Sequence, residues 1–275
     1  MIDVVTGGSG FLGLNFIENY KYDLSNLFVI KHRNILEKYK NNFIDLETLK
    51  TIFQNRKEKI RIYHFATLYS LDENYKSEIF ESNFNFGKRL FQYIPTEFID
   101  SIIYTNTMFS FNELHKNSSY VISKNMFGEY LKESFDNEKI FEVFLDNTFG
   151  HNDNRDKIIP IIFEAVKKGK PNPVKNKEAY LNFTNVLDVI EYLNKNKFEK
   201  NSFKLVSDKS HNLFSIFESL NDYNLSNIKK LNPILNKESL FTLDSPPTPK
   251  NYVNRNFEES LQQSFKNFIN LQTDN

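Results

Sequence analysis

Apolar and polar positions along the first half of the chain follow two alternating rhythms. Short β-rich runs occur at Ile2–Val5, Leu27–Lys31, Ile60–Ala66, Ile99–Thr105 and Phe141–Asp146. Between them, Phe11–Tyr20, Leu46–Asn55, Tyr75–Ile94 and Ser119–Phe135 carry helical patterns. Strands alternating with helices at this spacing predict a parallel sheet covered on both faces.

The second half changes character. Lys157–Lys168 reads as a helix followed by the breaker-rich stretch Gly169–Pro173. Phe203–Val206 is expected to return to the sheet, and Pro246, Pro247 and Pro249 mark an irregular segment. Phe257–Leu271 closes the chain as an amphipathic helix with Phe257, Leu261, Phe265 and Phe268 on one face. Residues 1–150 are thus expected to form the main α/β domain, with its sheet completed by later segments. Residues 151–275 are expected to form a smaller lobe rather than an independent domain.

Composition narrows the function classes. Thirty-five basic residues balance 35 acidic ones, which argues against nucleic acid as a partner, because phosphate neutralisation needs a cationic surplus. The 275 residues contain no Cys, so disulfides, zinc ribbons and thiol nucleophiles are excluded. No apolar run approaches the ~20 residues a membrane helix needs. Met1–Gly10 lacks the basic and apolar regions of a signal peptide. The expectation is a cytoplasmic protein without a membrane partner. The five His residues show no metal-ligand spacing, and no metal is expected.

The strongest local signal is Thr6-Gly7-Gly8-Ser9-Gly10-Phe11-Leu12-Gly13, between the first strand and the first helix. Gly7 permits a tight turn, Gly10 lets a pyrophosphate approach the backbone, and Gly13 lets helix and strand pack closely. Free amides at the helix start then bind phosphate. This predicts a Rossmann-type doubly wound sheet that binds a dinucleotide. No Lys and Ser or Thr follow the glycines, so the turn is not a triphosphate-binding loop. The second strand ends in Lys31-His32-Arg33, where an acid would accept bonds from the adenosine ribose. Cations there favour NADP(H), through a 2′-phosphate, over NAD(H); a solvated basic loop is the alternative.

Tyr120 and Lys124 lie four residues apart on a predicted helix and so share a face. An ammonium beside a phenol favours the phenolate and lowers its pKa from ~10, suiting it to proton transfer. The pair follows a strand ending in Tyr104-Thr105-Asn106-Thr107, whose hydroxyls belong at the ligand-binding edge of the sheet.

Together, Thr6–Gly13, His64-Phe65-Ala66-Thr67, Thr105-Asn106-Thr107 and the Tyr120/Lys124 pair resemble the extended short-chain dehydrogenase/reductase superfamily, in its nucleotide-sugar-modifying branch. Asp45-Leu46 resembles the adenine-contacting Asp and its apolar neighbour. Asn147-Thr148-Phe149-Gly150 resembles the segment Asn-Val-Tyr-Gly, and Val186-Leu187-Asp188-Val189 resembles Val-Asp-Asp-Val. The similarity runs to about residue 195. His64–Ser70, Thr105–Ser110, Ser119–Leu131 and Gly150–Ile162 look more narrowly like the group containing CDP-abequose and related CDP-dideoxyhexose synthases, which reduce a 4-keto sugar nucleotide with NADPH. Phe144 and Leu181 stand where the superfamily usually has Arg, and His151 replaces a common Pro. A diphosphate-clamping Arg is therefore missing, and Arg155, Lys157 or Lys175 are the candidates to replace it.

The resemblance implies a substrate-binding second lobe and a homodimer built on the Tyr75–Ile94 and Tyr/Lys helices. It implies a dinucleotide held by Gly7, Gly10, Phe11, Leu12, Gly13, His32, Arg33, Asp45, Leu46, Phe65, Ala66, Thr67, Tyr120 and Lys124. It gives catalytic roles to Thr107, Tyr120 and Lys124, and substrate contacts to Thr107 and Asn147. The expected activity is NADPH-dependent 4-keto reduction of a nucleotide-linked deoxyhexose for a surface polysaccharide. The alternatives are an NAD-dependent epimerase or dehydratase, and a non-catalytic NAD(P)-binding scaffold. Asp153, Arg155 and Asp156 read as a solvated charged loop, Asp188 as a helix cap, and Asn83 as a structural residue facing the sheet.

Overall fold

The computed structural model describes residues 1–32, 34–195, 197–226, 229–239, 241 and 245–271. In chain order its main elements begin with β1 (Ile2–Thr6), α1 (Phe11–Glu18), β2 (Leu27–Ile30), β3 (Phe43–Ile44) and α2 (Leu46–Asn55). Next come β4 (Ile60–His64), α3 (Lys76–Phe80), α4 (Phe86–Leu90), β5 (Ile99–Thr107), α5 (Ser119–Ser134) and β6 (Ile140–Leu145). The remainder comprises β7 (Asn147–Phe149), α6 (Ile158–Lys167), β8 (Tyr180–Asn185), α7 (Val186–Leu193), β9 (Ser202–Lys204), β10 (Lys209–Asn212), α8 (Leu213–Leu225), β11 (Asn236–Glu238) and α9 (Phe257–Leu271). Among the described residues, no helix is long and apolar enough to cross a membrane.

The chain divides into two compact units. One comprises Met1–Leu145, Asn194–Lys204 and Leu243–Pro249; the other comprises Asp146–Leu193, Leu205–Thr242 and Lys250–Asn275. In the first unit, seven described strands form a sheet in the order β3-β2-β1-β4-β5-β6-β9. Every pairing in it is parallel. This is the expected doubly wound Rossmann-type α/β sheet, and Phe203 does return to it through β9. The strand order reverses between β1 and β4, so the crevice between their carboxyl ends is the place for a ligand.

Strand alternation sorts the side chains by face. Ile2, Val4, Ile60 and Ile62 pack with Leu49 and Phe53 of α2, Leu90 of α4 and Phe127 of α5. On the other face, Phe16 of α1 lies against Tyr63 and Phe65, with ring centroids 4.4 and 5.4 Å away. That face also buries an ion pair: Arg61 donates to both Asp3 oxygens at 2.9 and 2.7 Å, and the Tyr20 hydroxyl donates to Asp3 Oδ2 at 2.5 Å. These bonds satisfy charges that would be costly to bury alone.

The helical pattern expected over Tyr75–Ile94 is interrupted. Between α3 and α4, Glu81–Asn85 adopts a π-turn, a wider turn that inserts one extra residue and recurs at functional sites. In the second unit, four described strands form a mixed sheet in the order β11-β10-β8-β7, with β7–β8 parallel and the others antiparallel. Its core gathers Ile162 and Phe163 of α6, Ile216 and Leu220 of α8, and Leu261 and Phe265 of α9.

Candidate active site

The glycine turn is shaped by contacts that leave no room for side chains. Gly7 has φ +70°, and a Cβ there would meet the Ala66 amide nitrogen at 2.6 Å. A Cβ on Gly13 would lie 2.2 Å from the Gly7 carbonyl oxygen. Gly10 differs: its Cβ would meet only the Gly7 carbonyl, at 3.2 Å. Gly10 also caps α1 without a side-chain bond, so the first amides of the helix are not satisfied by a cap. Two close-packed glycines around one open glycine form a cradle that fits a pyrophosphate. Phe11 is buried and Leu12 half-buried at the start of α1.

Thr6 ties the ends of β1 and β4 together. Its Oγ1 accepts from the Ala66 amide at 3.2 Å and lies 3.0 Å from His64 Nδ1. Burial pushes His64 down to about 3, so it is neutral and belongs to the framework. Its ring packs between Phe86 and Phe127. Beyond it, Phe65 is buried, Ala66 half-buried and Thr67 exposed.

The predicted Tyr/Lys helix forms as α5. Ser118 caps it by accepting from the Val121 amide, and Glu73 accepts from both the amide and the hydroxyl of Ser119. Lys124 is 3% exposed, and its Nζ donates to Thr67 Oγ1 at 2.6 Å and Thr105 Oγ1 at 3.4 Å. Burial pushes this lysine down to about 7. Tyr120, one turn earlier, is 8% exposed, with Tyr69 edge-on against it at 5.0 Å. Thr107 ends β5, and its Oγ1 accepts from the Phe109 amide at 3.2 Å. A hydroxyl that accepts still has its own proton to donate.

Asn83, expected only to face the sheet, clamps this constellation from the π-turn. Its Oδ1 accepts from the Leu68 amide at 2.7 Å, and its Nδ2 donates to the Leu68 carbonyl at 3.1 Å and Ser123 Oγ at 3.1 Å. Ser123 in turn donates to the Tyr120 carbonyl at 2.8 Å. The loop after β4 is thus tied to the turn of α5 that carries Tyr120 and Lys124. A second buried network was not visible in the sequence. Asn106 Nδ2 donates to Glu142 Oε1 at 2.8 Å and Asn125 Oδ1 at 3.1 Å, while its Oδ1 accepts from the Thr107 amide at 2.8 Å. No spacing rule pairs residues 106, 125 and 142, because three different elements bring them together.

The adenosine end is less simple than the sequence suggests. Asp45 caps α2, accepting from the Thr48 amide and hydroxyl at 2.8 and 2.7 Å. Those bonds, with lesser help from Lys31, hold its carboxyl below the usual range. Lys31 Nζ lies 3.4 Å from Asp45 Oδ2, so one cation expected to meet a 2′-phosphate already has a counter-ion. His32 is exposed, and Leu46 packs at the edge of the core. Arg33 lies outside the described residues.

In the second unit, Asn147 donates to the Asn182 carbonyl at 3.2 Å and to Asp146 Oδ1 at 3.1 Å. Burial pushes the Asp146 carboxyl up to about 7. The charged loop is solvated only in part: Asp156 is exposed and Arg155 half-buried, but Asp153 is buried and accepts two bonds from the Arg155 guanidinium, at 2.7 and 2.8 Å. Arg155 also donates to the Thr148 carbonyl at 2.6 Å. A run of charges reads as surface in sequence, but the guanidinium of Arg155 satisfies the one carboxylate, Asp153, that is buried. Asp188 lies within the first turn of α7, and its carboxylate accepts from the Arg255 amide at 3.0 Å and from the Arg255 guanidinium. Among the described residues, no group of three or more His, Asp or Glu is placed to hold a metal.

A glycine cradle at the switch point, with a buried lysine and a tyrosine at the same sheet edge, is an arrangement that fits a dinucleotide on an α/β fold. The chain belongs to the NAD dependent epimerase/dehydratase family, whose model matches residues 4–195, and it is an enzyme of that class. No curated protein sequence matches it. Similar solved structures include UDP-glucose 4-epimerase from Thermotoga maritima with UDP-glucose, at 18% identity and TM-score 0.73, covering 99% of this chain and 100% of that one. The Bordetella bronchiseptica enzyme WbmG in complex with NAD has 17% identity and TM-score 0.71, covering 98% and 94%. UDP-glucuronic acid 4-epimerase from Bacillus cereus in complex with NAD has 16% identity and TM-score 0.71, covering 100% and 99%.

Proposed function

We propose that this protein reduces the 4-keto group of a nucleotide-linked deoxyhexose. The observation that carries the reading is the buried Lys124 one turn beyond Tyr120, with Thr105 and Thr107 on the adjoining strand end. When bound, the nicotinamide dinucleotide supplies hydride exchange with a sugar carbon. Gly7, Gly10 and Gly13 shape its pyrophosphate cradle, and Phe11 and Leu12 open the helix that the phosphates meet. Phe65, Ala66 and Thr67 line the edge of β4. Lys124 holds the nicotinamide ribose and biases the Tyr120 phenol toward its anion. Tyr120 passes the proton to the sugar oxygen as charge develops there. Thr107 donates a hydrogen bond to the same oxygen, and Asn147 contributes to sugar recognition.

NADP(H) is the favoured dinucleotide on this reading, through His32 and Arg33. Its case is weaker for the engagement of Lys31 by Asp45. Asp45 and Leu46 are assigned to the adenine side. We further assign the protein to the cytoplasm, to a homodimer and to the supply of sugars for a surface polysaccharide. A second reading, an epimerase or dehydratase that retains NAD, is favoured by two structural neighbours in complex with NAD.

Mass spectrometry of co-purified ligand, with measured NADH and NADPH affinities, separates these readings. Loosely bound NADPH consumed on addition of a 4-keto sugar nucleotide supports reduction. Stoichiometric tightly held NAD supports the second reading. Tyr120→Phe is expected to bind the dinucleotide normally and lose turnover; full retained activity refutes the assignment of Tyr120.

A further inference from the structure

Lys124 is buried with three N–H groups to satisfy, and an ammonium has no acceptor capacity of its own. Among the described residues it donates to two hydroxyls: Thr67 Oγ1 at 2.6 Å and Thr105 Oγ1 at 3.4 Å. The nearer one has a fixed polarity. Thr67 donates its own proton to the Ala66 carbonyl at 2.8 Å, so towards Lys124 it can only accept. The segment carrying it is held by both bonds between Asn83 and the Leu68 backbone, and Asn83 also reaches Ser123, the residue before Lys124. Hydroxyl and amine therefore share one frame.

We propose that Thr67 is a positioning residue for Lys124: its hydroxyl, polarised by the Ala66 carbonyl, holds the lysine nitrogen at the cofactor edge of the sheet and stabilises its proton. This deepens the reading of Lys124 as the group that meets the dinucleotide and rests on it for its functional meaning. Of the titratable groups near Lys124, His64 on β4 is neutral, and Tyr120 lies one turn earlier on the same helix. Burial accounts for the displacement of Lys124, and among the described residues no carboxylate offsets it. The charge-assisted bond from Thr67 works against that burial.

The test is direct titration of the lysine in the protein without dinucleotide. Protein labelled with 13C at lysine Cε is followed by NMR against pH, and the Lys124 signal is identified by its absence in Lys124→Met. Thr67→Val is expected to lower the midpoint by about one pH unit, Thr67→Ala to do the same, and Thr67→Ser to restore it. Thr67→Val is also expected to weaken NADH binding by about tenfold at pH 7, measured by fluorescence. An unchanged midpoint in folded Thr67→Val and Thr67→Ala overturns the proposal, as does failure of Thr67→Ser to restore it. If the unmodified protein binds neither NADH nor NADPH, the cofactor reading fails while the lysine titration still decides the role of Thr67.

Discussion

Replacing Lys124 by Met should make the protein more stable while weakening its binding of a dinucleotide. Lysine titrates near 10.5 in the absence of structure, and burial brings Lys124 down to about 7. Between those values the unfolded chain binds a proton that the native protein has released, so wild-type stability rises with pH. Below about pH 7 both states are charged and the full cost of burying the ammonium is present. At 1.36 kcal/mol per pKa unit the upper bound is roughly 5 kcal/mol. Relaxation and water entry reduce this to about 2–3 kcal/mol. Methionine keeps the length and apolar stem without the charge. Urea unfolding at pH 6 should therefore show Lys124→Met about 2–3 kcal/mol more stable than wild type, with the advantage shrinking by pH 9. NADH fluorescence titration should show weaker binding. A variant less stable than wild type at pH 6, or a gap of the same size at both pH values, refutes the reasoning.

Gly10→Ala should fold with a thermal stability only modestly below wild type yet bind NADH and NADPH poorly, because its new methyl meets one protein atom, the Gly7 carbonyl oxygen at 3.2 Å, and otherwise faces the proposed phosphate cradle. Gly13→Ala should fail to fold stably, its Cβ being forced to 2.2 Å from the Gly7 carbonyl; circular dichroism and calorimetry distinguish the two. Thr107→Val should lower kcat by about 10²-fold with little change in NADH affinity, and Thr107→Ser should recover most of it. Equal losses for Val and Ser would remove Thr107 from the chemistry.

Local signals carried most of the fold. α2 and α9 fall on Leu46–Asn55 and Phe257–Leu271, as the apolar spacing predicts. The glycine turn and the Tyr/Lys helix were legible because a single stretch of chain specifies each. The small mixed sheet was not: β10 reads Lys-Ser-His-Asn and β11 reads Asn-Lys-Glu, with no apolar alternation to announce a strand. Its pairing comes from long-range contacts such as Asn182 donating to the Ser207 and Lys209 carbonyls. The break in the Tyr75–Ile94 pattern was equally hidden, since the π-turn at Glu81–Asn85 shifts the helical phase by one residue with no Gly or Pro among its own five residues. The polar networks at Asn83 and Asn106 join elements far apart in sequence, so no local pattern announced them; the Asp153–Arg155 pair is local, but a run of charges does not say which of its members is buried.

The seventh strand has a consequence for biosynthesis. β6 ends at residue 145, but β9, which pairs along its open side, arrives only at residues 202–204. Translation at ~5–20 residues per second leaves that border of the nascent sheet unpartnered for roughly 3–12 s. During that interval the emerging chain offers a parallel-pairing edge to any neighbouring polypeptide on the same messenger. Ribosome-bound chains halted before residue 200 should accordingly engage holdase chaperones more than chains released a few residues past 204.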